Sequence, residues 1–150
     1  MENTAEAVNQ VPDHEEKTFA MLSHLSLLLG GIILPIIIWA TQRDKSRFVR
    51  FHSLQAIFYH LMLAVIIFFF VLIALIFVLI SGIGNLNNPG NSSMPPFLIF
   101  LLISFYAFII LLALAAVAYS IYIAVKAYRG ERIKIFFIGN IIYRKVYGQS

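Results

Sequence analysis

The sequence predicts an all-α integral membrane helical bundle: three transmembrane helices, the first one kinked, followed by a C-terminal interfacial amphipathic segment. Three observations carry this reading. Hydrophobic residues make up 61% of the 150-residue chain and charged residues 12%, with a mean hydropathy of +0.88. A soluble domain of this length still exposes much of its surface and could not hide so much apolar area, whereas a bilayer accepts it. The apolar residues also fall into three long runs. Finally, Lys and Arg gather in two segments that three spans place on one side of the membrane, which the positive-inside rule makes cytoplasmic.

Residues 1–17, MENTAEAVNQVPDHEEK, form an acidic tail in which five carboxylates face Lys17 alone. The composition predicts disorder. The tail carries no basic leader, and no small-residue cleavage pattern follows the first apolar run, so a cleaved secretory signal is not expected.

The first span is expected over 18–40. Its middle reads SHLSLLLGGIILPIIIW, with Gly30, Gly31 and Pro35 inside a Leu/Ile run. Pro35 lacks an N–H and crowds the preceding turn, so the helix should kink or break near the Gly pair. The favoured reading is a bend that helps helices pack, since small residues allow close approach. The sharper one is a discontinuous helix lining a polar passage.

His24 and Ser26 lie in the outer part of this span. An ionisable residue inside a span is a functional candidate, and a neutral imidazole hydrogen-bonded to a neighbouring helix is the plainer alternative. Read as one continuous helix, the span keeps His24 far from the cytoplasmic end of the next.

Residues 41–52 read as a basic loop, in which Arg43, Lys45, Arg47 and Arg50 outnumber Asp44. Topology and contact with anionic head groups account for such a loop. The second span, over 54–80, is nearly all apolar and long enough to tilt. At its start His52, Gln55 and Tyr59 share one helical face, with His60 on the adjoining flank. His24, Ser26, Pro35, His52, Gln55 and His60 are therefore the candidate intramembrane polar or pathway residues. His52 and His60 are about 12 Å apart along a helix, too far to share one ion. The chain has no cysteine and no acidic residue inside a span, so no metal site and no cofactor is expected.

An uncharged segment rich in Gly, Pro and Asn separates the second span from the third, which is expected over 97–125. Ala113, Ala116, Ser120, Ala124 and Ala127 form a small-residue stripe suited to helix packing, either within the chain or between protomers. Tyr119, Tyr122 and Tyr128 sit beside Lys126 and Arg129 as an interfacial belt. The transmembrane domain closes near 132. Residues 133–150 read as a basic interfacial tail, with a partial fourth span as the alternative.

The run FAMLSHLSLLLGGIILPIIIWATQRDKSRFVRFHSLQAIFYHL resembles the signature of a bacterial family of small multi-pass membrane proteins of undetermined function. The matching positions are His24, Leu25, Ser26, Gly30, Pro35, Trp39, Lys45, Ser46, Phe48, Val49, His52 and Gln55. Ala127 to Glu131 resembles that family's exit from its last span. The likeness covers about 18–132. It implies distant kinship with the small subunit of the chloroplast inner-envelope import translocon, a four-span protein, and hence a part in a translocation pore.

No catalytic motif is present, and an enzyme is not expected. The expected function is a transport- or translocation-like component of a larger assembly. The alternative is a non-catalytic scaffold or accessory subunit that associates through the small-residue face. Expected partners are anionic lipid and either further copies of the chain or partner membrane subunits, with no nucleic acid. The expected location is the bacterial inner membrane, N-terminus outside and C-terminus cytoplasmic.

Overall fold

The computed structural model describes residues 11–29, 31–86 and 95–148, with side chains left aside at 84–86. Five helices follow one another among these residues: α1 (His14–Leu29), α2 (Ile33–Gln42), α3 (Arg47–Leu86), α4 (Pro96–Tyr128) and α5 (Ile138–Tyr147). No strand occurs among the described residues. The expectations for residues 1–10, for Gly30 and for the Asn/Pro-rich segment over 87–94 lie outside the described residues.

The helix α1 begins inside the expected tail. Asp13 and Glu16 form a reciprocal capping box: Glu16 N–H donates to Asp13 Oδ1 at 2.7 Å and Asp13 N–H to Glu16 Oε2 at 3.0 Å. Two orphan donors of the first turn are thereby satisfied. The helix ends where Gly31 N–H closes a six-residue turn onto the Ser26 carbonyl at 2.7 Å, with Gly31 at φ 62°. Only glycine adopts that left-handed conformation without strain.

The expected first span is thus not one kinked helix. Pro35 does not bend a continuous rod. It stands in the first turn of α2, where its missing N–H would have had no intrahelical partner. At about 1.5 Å per residue, the 16 residues of α1 and the 10 of α2 each fall short of about 30 Å of hydrocarbon. The two helices pack on each other. Pro12 and Glu16, before and in α1, line the same cavity as Arg43 to Arg47 beyond α2. The segment therefore leaves and returns to one place: α1 and α2 form a helical hairpin.

The expected basic loop over 41–52 shrinks to a four-residue turn. Ser46 ends it by accepting the Val49 N–H on its hydroxyl at 3.1 Å, an N-cap that starts α3 at Arg47. The helices α3 and α4, of 40 and 33 residues, both meet the length and hydropathy needed to cross a membrane. The helix α3 runs well beyond the expected limits of 54–80 at both ends, whereas α4 keeps close to the expected 97–125.

The chain divides into two units. One holds residues 63–116, the uncharged middle of the chain, where Phe70 packs its ring 5.3 Å from both Phe105 and Phe108. Much of its apolar surface is open, including Phe68, Phe69, Phe100 and Tyr106. The other unit holds residues 1–62 and 117–150. The end of α4 within it carries Tyr119, whose ring lies 6.0 Å from Tyr59 on α3. Ala20 of α1, Phe48 of α3 and Ala127 of α4 meet in one buried cluster.

The expected C-terminal tail is folded into this second unit. A non-helical stretch over 131–135 leads to α5, whose buried Ile142, Val146 and Tyr147 pack on Phe51 of α3. Phe136, Phe137 and Ile141 point outward, at 76%, 78% and 69% exposure. The segment is amphipathic, as expected, but its buried face is docked on protein.

Candidate functional site

The polar residues of α1, α3 and α4 meet in the interior of the second unit. His24 Nε2 lies 3.2 Å from His52 Nδ1, and His52 Nε2 lies 3.2 Å from the Glu131 carbonyl oxygen. A carbonyl only accepts, so His52 donates through Nε2. With both rings neutral its Nδ1 then accepts, and His24 donates through Nε2. One tautomer assignment satisfies the whole chain. His24 also fixes α4, because Ser120 donates its hydroxyl to the His24 carbonyl. The expected separation of His24 from His52 fails because α1 belongs to a hairpin and not to a straight span.

Gln55 holds the 131–135 stretch with both ends of its amide. Nε2 donates to the Ile133 carbonyl at 3.1 Å, and Oε1 accepts the Ile135 N–H at 2.7 Å. Backbone outside a helix or sheet needs partners when buried. Here one side chain supplies them. Ser26 and Ser53 turn back onto their own helices, donating to the Ser23 carbonyl at 2.7 Å and the Val49 carbonyl at 2.8 Å. His24, Ser26, His52 and Gln55 are all essentially without exposure.

Pro35 is buried in α2, and His60 is buried beside the Gly31 backbone at the hairpin turn. Of the six candidate pathway residues the structure joins His24 to His52, sets Gln55 on the same 131–135 stretch that His52 reaches, and leaves Ser26 bonded within α1. Among the described residues, no three of His, Asp or Glu converge as a metal site would require.

The small-residue stripe is used inside the chain where it can be followed. Ser120 is bonded to α1, Ala127 packs on Ala20 and Phe48, Ala116 and Ala124 are buried, and Ala113 is half-buried.

The cations part into two groups. Arg43, Lys45, Arg47 and Arg50 line one cavity of about 310 Å³, joined there by Arg132. Lys126 instead pairs with Glu131 at 2.8 Å, and Arg129 is exposed. Tyr147 closes part of the cavity wall beneath Arg132, whose guanidinium lies 5.6 Å from the ring centre. Burial raises the Tyr147 hydroxyl above its usual range, and the neighbouring Arg132 opposes that rise.

The fold and the sequence motifs meet in one comparison. The model of the magnetosome magnetite crystal formation protein family, MamF/MmsF, matches residues 15–142. The chain belongs to this family. As a MamF/MmsF member with two long apolar helices, it is a bacterial membrane protein. The match embraces α1 to the middle of α5, and so takes in the hairpin, the histidine pair and the Gln55 clamp. It supports the resemblance to a small bacterial membrane family and lends nothing to the translocon kinship. No curated protein and no solved structure matches the chain.

Two contributors escaped the sequence reading. One is the backbone of 131–135, whose carbonyl and amide groups carry no side-chain signature. The other is the Asp13–Glu16 capping box, whose spacing was visible but fell within a segment read as tail.

Proposed function

We propose that this chain is a non-catalytic structural component of the magnetosome membrane, acting in magnetite crystal formation as a scaffold. The observation that carries the reading is how the polar groups around the histidine pair are met: His24, His52, Gln55 and Ser120 bond to one another and to backbone. From Phe51 to Val125 the chain holds no charged residue, which leaves an ion pathway through α3 and α4 without the groups such pathways use.

In this reading α3 and α4 are the two spans among the described residues, and α1–α2 is a re-entrant hairpin. A Cβ added at Gly130 would fall 3.2 Å from Lys17 Cε and 3.3 Å from Pro12 Cγ, which supports a single side for the start of α1 and the end of α4. The basic segments then make that side cytoplasmic. The three-span alternative needs α1 and α2 to run end to end across the bilayer. The open Phe-rich surface of residues 63–116 faces lipid or partner spans.

The test pairs two measurements. Loss of the chain from a magnetite-forming bacterium should change crystal size or number, and the restored chain should reverse this. Vesicles holding only the purified protein should pass ferrous ion and protons no faster than empty vesicles. Flux above that background would favour the transport reading, and normal crystals without the protein would overturn the role altogether.

A further inference from the structure

We propose that the cavity between the hairpin, the start of α3 and the 132–147 segment is a binding site for the phosphate head group of an anionic phospholipid. Five cations line it, Arg43, Lys45, Arg47, Arg50 and Arg132, against the carboxylates of Glu16 and Asp44. They come from parts of the chain more than eighty positions apart, so the site is made by folding and is not a local run of charge. The proposal rests on the membrane placement above.

Three features call for an anion. The α3 N-terminus opens here, and its first turn contains Arg47 and no acidic residue. Cations at the positive end of a helix dipole are unfavourable unless an anion sits between them. The Arg50 Nε–H is buried and meets no acceptor among the described residues. The excess of cations over carboxylates within one cavity also repels itself when the space holds water alone.

The choice of a lipid follows from the neighbours. Trp39 lies one helical turn before Arg43, whose guanidinium stands 5.2 Å from its ring centre. The Trp39 indole N–H is itself buried and meets no acceptor among the described residues. Trp stacked under Arg at the end of an apolar helix marks head-group depth. Exposed Phe136, Phe137 and Ile141 give the same unit apolar side chains to sink beside a lipid. Planar guanidinium groups suit phosphate oxygens better than a diffuse layer of charge does.

The full-length protein in nanodiscs gives the test, with native mass spectrometry counting the lipids it retains. In phosphatidylcholine discs containing a minor share of phosphatidylglycerol, the chain should keep one phosphatidylglycerol per protein. Arg50→Gln with Arg132→Gln should weaken retention about tenfold or more, the loss of two charge-assisted contacts. Arg43→Gln with Lys45→Gln, both at exposed positions, should weaken it as well and keeps the test open should the first pair misfold. Arg129→Gln with Arg144→Gln removes equal charge outside the cavity and should leave retention unchanged. Equal loss in that control, or no loss in the cavity variants, would overturn the site. Displacement of the lipid by inorganic phosphate at matched ionic strength would overturn the lipid assignment in favour of a soluble phosphate anion. Insertion into discs of phosphatidylcholine alone reports on the membrane reading, so a chain that inserts but shows no preference refutes this proposal by itself.

Discussion

His24 and His52 stand 28 positions apart in the chain and 3.2 Å apart in space. The pair links α1 to α3, and through the Glu131 carbonyl it reaches the stretch that follows α4. Three chain segments are thus tied by two side chains that no bilayer-facing position could satisfy. Replacing His52 by Ala should lower stability by about 3 kcal/mol, because it opens a void and leaves a buried ring nitrogen and a carbonyl without partners. His52→Gln keeps a donor and an acceptor and should cost about 1 kcal/mol. Thermal unfolding in mild detergent reads both; equal, small losses would show that the pair is not a structural tie.

Gln55 predicts a local effect. Gln55→Ala removes both bonds to the 133–135 backbone, so hydrogen exchange at Ile135 should quicken by about tenfold or more while the middle of α3 keeps its protection. An unchanged Ile135 amide would mean that the stretch is held by α5 alone.

The glycines separate two kinds of cost. At Gly31 an added Cβ meets nothing within 4 Å, and only the positive φ opposes it, so Gly31→Ala should cost about 1 kcal/mol. At Gly139 the same atom would fall 2.6 Å from the Lys134 Cα, which is backbone and cannot swing aside. Gly139→Ala should therefore displace α5 from Phe51, and protease cleavage between 131 and 138 is the readout. If cleavage does not increase, the docking of α5 is looser than described.

The fold was legible in part, and the limits have physical causes. Length and apolarity marked α3 and α4, because nothing but lipid or a large core accepts such runs. The same measure misread 18–40. Hydropathy summed over Leu and Ile cannot tell one crossing helix from two shorter ones folded back, and the deciding features were local: the positive φ of Gly31, and Pro35 in a first turn instead of a middle one. The polar candidates were visible because Ser, His and Gln stand out against Leu and Phe. Their pairing was not, since it depends on the hairpin. The cavity was visible only as a basic loop, because Arg132 joins it through the tertiary fold.

Glu131 gives a contrast within one residue. Its side chain pairs with Lys126 in a partly exposed setting, so Glu131→Gln should change stability by less than about 1 kcal/mol. Its main-chain carbonyl, which His52 needs, survives that substitution. A loss as large as that of His52→Ala would show that the ion pair and not the carbonyl anchors the stretch.

The hairpin is the centre of the account, and sidedness tests it most directly. The chain has no cysteine, so single-cysteine variants report cleanly. Glu15→Cys before the hairpin turn and Lys45→Cys after it should react with an impermeant thiol reagent from the same side of the membrane, together with Lys145→Cys, while Asn91→Cys reacts from the other. Labelling of Glu15→Cys and Lys45→Cys from opposite sides would make residues 18–40 a true span and contradict the fold around which the buried histidines and the basic cavity are assembled.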